Sequence, residues 1–511
     1  MSDRHSVIRN YVAIIDIGSN AVRLVVYDGF NRAPAIIHRE RSICNLGADM
    51  ATTGRLNPDS VKKALNILRR FSGLLEAMRI GNVRTVATAA VRDAMDGRNF
   101  VDTVQKEFGL TISVIDGEEE ARLSALGVLA NGFGGDGLIG DYGGGSLELI
   151  ALEKDRVRHK ASLPVGSHRL SAETSREARV KIIGEHLDGV DFLKDCAGRD
   201  FYAIGGAWRS MALAHMHMTQ YPIRVLDHYQ VDGEKAAEFA GLVSRESPDS
   251  LEKAAGMSKR RITDMGIAAL TMELLFERIR PRKLIFSGTG LREGLVYDQL
   301  KPAAQAQDPL LASCTKIALK ISRFDDIRAF KTLAGWMEPL FAGKNAEFSR
   351  VLEASCLLSD TGWFEHEDYQ ADHAFRRILV MPLYGIDHAG RAFLALSQYV
   401  RYKGYLRRIS RGEEIDEVTR PAQAFLDNRV VDLAVTAGLA QRMGYLLTGG
   451  ALGLLRHTEL EATPEHLVLR LNDKAGMLNA DAIRDVLKGL AERVGLEAVI
   501  LSSPDLKGME S

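Results

Sequence analysis

The sequence predicts an α/β protein over roughly its first 300 residues, with a mostly helical region and a small α/β tail behind it. Three observations carry that expectation. Strand-like apolar runs alternate with helical ones from residue 11 to about residue 300, the order expected of helices laid against a largely parallel sheet. Two segments, AIIDIGSNAVRLVVYD (13–28) and LIGDYGGGSLELIALE (138–153), share one pattern of apolar strand, Asp-x-Gly, small polar turn and apolar strand. Periodicity then stops at PAAQAQDP (302–309), which has a proline at each end and reads as a linker.

In the first segment Ile14 and Ile15 precede the break and Val22, Leu24 and Val26 follow it, so two strands joined by a tight turn are expected. A turn alone requires little more than Asp-Gly or Gly-Asn. Here Asp16 ends the first strand, and Gly18, Ser19 and Asn20 expose backbone N–H groups and short polar side chains, a loop that suits an anion. The stretch 57–80 opens with cap-type residues and repeats Leu65, Leu68 and Leu75 at helical spacing, giving an amphipathic helix with Lys62, Lys63, Arg69 and Arg70 on its solvated face. Further strands are expected at 85–91, 111–116, 138–142, 147–152, 201–206 and 283–288. Asp16 and Asp141 stand at matching places in the two hairpins, so the N-terminal region reads as two related subdomains. Segments from 310 to 455 lean helical, and 466–501 reads strand, helix, strand. The expected domains are 1–128, 129–303, 310–460 and 465–511.

A chain of 511 residues is too long for one core at ~100–200 residues per domain, and its 46% hydrophobic content is enough to fill several. Lys plus Arg number 66 and Asp plus Glu 67, a net charge of −1, so no global field recruits a polyanion and an anionic substrate must meet a local basic patch. Cys44, Cys196, Cys314 and Cys356 lie far apart with no Cys-x-x-Cys pair, which argues against a disulfide framework or a zinc site. Residues 1–10 lack the apolar core of a secretory signal, and no run approaches the ~18 apolar residues that span a bilayer. A soluble, cytoplasmic protein with no membrane or nucleic-acid partner is expected.

The glycine-rich hairpins are the first candidate site. Gly143, Gly144 and Gly145 let backbone approach a phosphate, Ser146 adds a hydroxyl, and Asp141 and Glu148 supply hard oxygens suited to Mg²⁺. Metal-assisted phosphoryl transfer would use such a set. One loop of this kind is also what an ordinary β-hairpin needs, but two facing one cleft would be a poor coincidence. In IDGEEEARLSALGVLA (115–130), Glu118, Glu119 and Glu120 open a helix, where acids complement its positive end, and Glu118 is spaced to pair with Arg122. A glutamate held at the cleft would act as general base on a water, yet spacing alone does not choose among the three. TVATAAVRDAMDG (85–97) brings Arg92 to a strand end, where its guanidinium either grips phosphate or pairs with Asp93 or Asp96. SGTGLREG (287–294), with Arg292, and IGGAWRS (204–210) are further Gly-rich turns open to the same two readings.

In order along the chain, DIGSN (16–20), ATAAVRDA (87–94), GEEEARL (117–123), DYGGGSLEL (141–149), Gly205-Gly206 and SGTGLREG (287–294) resemble the exopolyphosphatase and guanosine pentaphosphate phosphohydrolase family. The resemblance covers roughly residues 11–300 and implies two actin-like (ribonuclease H-like) subdomains. The region after 310 looks like the HD-type helical domain of the longer exopolyphosphatases, with a small C-terminal α/β domain. Position by position, Glu120 matches the family's catalytic base and Arg92 the arginine on the substrate phosphate. Asp141 and Glu148 match carboxylates that serve Mg²⁺ and water, with Asp16 as a third metal candidate. Ser19, Asn20 and Gly143 to Ser146 match phosphate-cradling loops, joined by Gly205, Gly206 and Gly288. Arg23 and Arg261 fall where the family places arginines that meet a nucleotide or a longer anionic chain.

The resemblance thus implies a Mg²⁺-dependent homodimeric enzyme that releases terminal orthophosphate from inorganic polyphosphate through a Glu120-activated water. Guanosine pentaphosphate hydrolysis and non-catalytic sensing of polyphosphate or a guanosine alarmone are the alternatives. Two small departures, Ala21 for the usual Ser and Leu147 for the usual Thr, remove hydroxyls but no carboxylates. A larger one is CLLSDTG (356–362), where Ser359 stands in place of the usual His and leaves Asp360 and His373 an incomplete metal set. Metal-dependent chemistry is therefore not expected there. QYVRYKGYLRRISRGEE (398–414) reads either as a solvated helix end or as a groove in which Arg401, Lys403 and Arg407 guide a long polyphosphate.

Overall fold

The structure is a computed structural model that describes residues 10–255, 259–324, 326–404, 417–472 and 481–502. It divides into two compact units, Met1–Pro309 and Leu310–Ser511.

In the first unit β1 (Val12–Ile17) runs antiparallel to β2 (Ala21–Tyr27), which pairs with β3 (Ile36–Ile43); β4 (Asn82–Ala87) and β5 (Ile112–Val114) add in parallel on the other side of β1. A second sheet repeats the plan. β6 (Gly137–Tyr142), β7 (Leu147–Glu153) and β8 (Arg156–Leu163) form the meander, and β9 (Phe201–Ile204) adds in parallel to β6. β10 (Tyr229–Asp232) is the antiparallel edge beyond β11 (Lys283–Phe286), which lies parallel to β9. The duplication extends to single hydrogen bonds: Gly18 N–H donates to the Ala21 carbonyl at 3.1 Å, and Gly143 N–H donates to the Ser146 carbonyl at 2.9 Å. In register, Asp16 faces Arg23 across the first hairpin and Asp141 faces Glu148 across the second. The repeat therefore places an ion pair in one hairpin and two acids in the other. This doubled arrangement is the actin-like architecture.

β1 is buried along its whole length because apolar clusters cover both faces of its sheet, one holding Ile15, Leu68 and Phe100, the other Val12, Ile14 and Val296. The second sheet is likewise covered on both faces. Two helices exchange between the sheets. Gly117–Ala130 packs through Ala121, Ala125 and Val128 on the second sheet, while Leu291–Asp298 packs through Val296 on the first. They touch backbone to backbone, since a side chain on Gly127 would collide with the Gly290 carbonyl and one on Gly294 with that of Leu123. The boundary expected at residue 128 falls inside the first of these helices.

Local differences from the sequence reading have local causes. The helix expected over 57–80 runs Pro58–Ala77, started by Asn57, whose side chain accepts from Ser60 N–H. The strand expected at 85–91 stops at Ala87, and Ala89–Asp93 form a single helical turn that carries Arg92. β3 and β8 escape the sequence reading because they are edge strands with charged, half-exposed residues, IIHRERSI and RVRHKASL.

The second unit is helical up to His457. Ala346–Leu357, His388–Lys403 and Asn428–Thr448 enclose a polar knot in which Gln398 Nε2 donates to Gln441 Oε1 at 2.7 Å and Gln441 Nε2 donates to Ser355 Oγ at 2.7 Å. β12 (Thr458–Ala462), β13 (His466–Leu471) and β14 (Glu497–Ser502) then form a sheet with the helix Asp481–Val494. The tail expected as strand, helix, strand has β12 in addition. All four cysteines are buried, and none is in a disulfide. Among the described residues no helix is long and apolar enough to cross a membrane.

Candidate active site

The two Asp-x-Gly turns meet. A Cβ placed on Gly145 would lie 2.9 Å from the Ala89 Cβ and 3.3 Å from Ser19 Oγ, so a glycine is what permits the approach. Each turn is fastened by its carbonyls. Asn20 C=O accepts from Cys44 and Asn45 N–H, Ser19 C=O from Gly47, Gly143 C=O from Ser167 and Gly144 C=O from His168. The N–H groups of Ser19, Asn20, Gly144, Gly145 and Ser146 make no hydrogen bond among the described residues. Convergent unpaired N–H groups of this kind form an anion seat. Asn20 Oδ1 is also buried without a partner among them, an acceptor that a water would satisfy.

Of the three glutamates that open the helix Gly117–Ala130, the fold singles out one. Glu118 is exposed and pairs with Lys160 at 3.0 Å, not with Arg122. Glu119 takes Arg122 through two bonds of 2.7 and 2.8 Å, and Arg122 also reaches Asp298 at 2.7 Å. Glu120 turns toward the loops with 15% of its side chain exposed and meets Arg92 Nη1 at 3.5 Å. Arg92 also holds Asp93 at 3.0 Å, and Asp93 is gripped at 2.6 Å by Arg169 from the other lobe. The ion pair with Asp93 expected as one reading of Arg92 is present, and the same guanidinium also reaches Glu120.

Behind Glu120 lies a field of carboxylates. Burial, then the charges of Glu148 and Asp141, hold Glu120 well above the ordinary glutamate value, with Arg92 opposing and Asp16 adding to the rise. Burial and Asp141 push Glu148 up to about 7 against the hydroxyls of Ser146 and Ser162. Burial raises Asp141 as well, opposed first by Ser124, whose Oγ donates to Asp141 Oδ2 at 2.5 Å. Asp16 accepts from Arg23 Nη1 at 3.0 Å.

Other expected residues are placed differently. Gly205, at φ 108°, passes beneath the Tyr142 carbonyl, where any side chain would collide, and Gly206 starts the helix Gly206–Met218. Gly288 is corrected as a phosphate donor: its N–H is spent on Asp227 Oδ1 at 2.5 Å and its carbonyl on Arg209 at 2.8 Å. Arg261 lies in the helix Lys259–Ile279, with its side chain outside the described residues, as is Arg407 altogether. Arg401 is corrected as a groove residue. It is 5% exposed, 3.7 Å from Asp360, and stacked on Tyr445 and Tyr402 at 3.7 and 4.1 Å. Lys403 remains exposed at the helix end. Asp360 is further engaged by Arg323 at 3.1 Å, while His373 Nδ1 lies 3.2 Å from Glu365, so each residue of the incomplete metal set is engaged by another side chain.

The sequence reading missed Ser124, Ser162, Arg169 and Arg209. Ser124 follows Glu120 by one helical turn and was open to detection on that spacing. Arg209 stands four residues after Gly205, in a turn already singled out. Ser162 lies on the unrecognised β8, and Arg169 carried no sequence signal.

Comparison with known proteins gives the following. The Ppx/GppA phosphatase family matches residues 25–303, and the domain described as exopolyphosphatase, C-terminal, matches residues 322–501. Retrograde regulation protein 2 of Saccharomyces cerevisiae is 25% identical over 439 residues, 78% of this chain and 73% of its own length. A guanosine-5'-triphosphate,3'-diphosphate pyrophosphatase of Pseudoalteromonas atlantica is 28% identical over 57% of this chain, which spans 59% of that relative. Exopolyphosphatase 2 of Mycobacterium tuberculosis is 27% identical over 53% of this chain and 91% of its own. The crystal structure of an exopolyphosphatase from Cytophaga hutchinsonii, 24% identical, covers 57% of this chain and 99% of its own with a TM-score of 0.51 and shares the fold.

Proposed function

The chain belongs to the Ppx/GppA phosphatase family, and on that footing we propose that it hydrolyses the terminal phosphoanhydride bond of inorganic polyphosphate and releases orthophosphate. The unpaired N–H groups of the two turns receive the terminal phosphoryl group, and Arg92 neutralises one of its oxygens. A water beside Glu120 attacks the terminal phosphorus, its proton passes to Glu120 Oε, and the bond from that phosphorus to the bridging oxygen breaks. The departing chain, one phosphoryl unit shorter, keeps the bridging oxygen.

The observation that carries this reading is Glu120 itself. It is a glutamate held above its ordinary value at the seam of two anion seats, and so a stronger proton acceptor than an unperturbed carboxylate. A cation suits the acids behind it. Among the described residues no three acidic, His or Cys side chains come close enough to enclose an ion. Mg²⁺, however, is usually held by one or two carboxylates with phosphate oxygens and water. Asp141 and Glu148, opposite one another on adjacent strands and both raised, chiefly by burial, provide that pair, with Asp16 adding to the rise of Asp141. When bound, Mg²⁺ would supply charge neutralisation to the phosphoryl oxygens.

The same chemistry would convert guanosine pentaphosphate to the tetraphosphate, the reading favoured by the Pseudoalteromonas relative. The length of the match to the yeast regulator favours a third, non-catalytic reading, although a protein that only binds has no use for a raised base. Phosphate release from long polyphosphate, tripolyphosphate and guanosine pentaphosphate, with and without Mg²⁺, separates the three. Release from polyphosphate is the expected result, and binding with no release from any substrate would replace hydrolysis by sensing.

A further inference from the structure

The small sheet at the end of the second unit is covered unevenly. In register, Leu467 and Leu469 of β13 stand beside Ala498 and Ile500 of β14 on one face, yet the two leucines are fully buried while Ala498 is exposed and Ile500 half-buried. A groove of about 700 Å³ lies there, between β14 and the helix Asp481–Val494. The edge of β14 is open as well, since β13 is its one neighbour in the sheet among the described residues. Glu497 N–H donates to the Glu465 carbonyl at 2.9 Å, so Glu497, Val499 and Leu501 turn their backbone groups to β13, and Ala498 and Ile500 turn theirs outward. From Ala498 to Leu501 the strand has no charge, proline or bulge, the devices that keep an edge from pairing. Charge along the groove is ordered. The helix leads through Gly495 and Leu496 straight into β14, so Glu492 and Glu497 line the end where the strand begins, and Arg484 and Lys488 line the stretch toward its far end. The helix itself does not call for this order, because Arg484 near its start and Glu492 near its end both run against the macrodipole.

We propose that this edge and groove bind a second copy of the same chain about a two-fold axis, the two β14 strands pairing antiparallel into one continuous sheet. The charge order selects that occupant. A copy turned through half a circle sets its basic end, Arg484 and Lys488, against the acidic end of the first, Glu492 and Glu497, and the reverse contact follows by symmetry. With the axis at Val499, the outward backbone groups of Ala498 meet those of Ile500 of the second copy, and the half-buried apolar side chains of the groove are covered. The homodimer that the family resemblance implies thereby gains a surface, whatever the substrate.

Sedimentation velocity of the full chain over a range of concentrations, with two charge variants, tests the pairing. Arg484→Glu with Lys488→Glu makes the groove acidic throughout, and Glu492→Lys with Glu497→Lys makes it basic throughout. All four side chains are exposed, and the helix exchanges at 484 and 492 follow the macrodipole, so melting curves should stay near wild type. Each variant alone should raise the dimer dissociation constant at least about tenfold, because like charges then meet across the axis. An equal mixture of the two should dimerise again. Ala498→Pro, which removes an outward N–H and leaves the β13 ladder intact, should also give monomer. A wild-type chain that stays monomeric, charge variants that dimerise alone as the wild type does, or variants that remain apart on mixing would overturn the proposal. Slow hydrogen exchange at the Ala498 and Ile500 amides of a monomer would give the edge to another segment of the same chain, and would overturn it too.

Discussion

Arg92 Nη1 lies 3.5 Å from Glu120 Oε2 while Nε of the same guanidinium holds Asp93 at 3.0 Å. One cation is thus shared between the proposed base and a carboxylate that Arg169 ties to the opposite lobe. Substrate phosphate must compete with Asp93 for Arg92.

Arg169→Ala should therefore raise KM for tripolyphosphate about three- to tenfold, because Asp93 then turns its full charge on Arg92. The pair is partly exposed, so its loss should cost no more than about 1 kcal/mol of stability. Steady-state kinetics together with a melting curve check both parts. An unchanged KM would break the proposed link.

The acid field sets a pH profile. Glu120 must lose its proton to act, and its value is raised, so kcat/KM should climb with pH through a limb well above the ordinary carboxylate value of 4.5. Glu148→Gln removes the largest charge raising Glu120, and the limb should move to lower pH even though the rate itself falls. A limb that stays in place or moves upward would contradict the assignment.

The same field bears on stability. The folded value of Glu148 is raised from 4.5 to about 7, so its contribution is fully present below pH 4.5 and is lost as pH rises through about 7. Without metal the first unit should melt at lower temperature at pH 8 than at pH 6. Mg²⁺ should raise the melting temperature more at pH 8 than at pH 5.5, and Glu148→Gln should shrink that difference. Equal Mg²⁺ effects at the two pH values would remove this acidic group as the cation's seat.

In the second unit Asp360 neutralises Arg323 and Arg401 in the interior. Asp360→Ala should destabilise that unit by about 3–5 kcal/mol by leaving buried charge unpaired. The metal content of the purified protein should not change. A fall in bound metal would show that Asp360 is a ligand after all.

Much of this was legible in the sequence where local pattern and local structure coincide. The two hairpins announced themselves because a strand, an aspartate and a glycine turn are written in consecutive residues, and the structure repeats them down to the Gly18 and Gly143 hydrogen bonds. The choice of Glu120 was not legible from spacing, because it depends on Lys160 engaging Glu118 and on Arg92, Asp141 and Glu148 meeting Glu120 from elements far away in sequence. Arg401 misled for a related reason. A basic, tyrosine-rich stretch looks like a solvated patch until Asp360, from the turn after Ala346–Leu357, and the Tyr445 ring, from Asn428–Thr448, bury Arg401. Arg169 was invisible because Asp93, the acid it grips, sits across the cleft.

The measurement closest to the central claim is the turnover of Glu120→Gln on tripolyphosphate in Mg²⁺, followed as orthophosphate release beside the wild-type chain. Glutamine keeps the shape of the side chain and removes the proton acceptor, so turnover should fall roughly 10²–10⁴-fold while pyrophosphate binding persists. Turnover within a few fold of wild type would contradict the account, because the water would then be activated elsewhere.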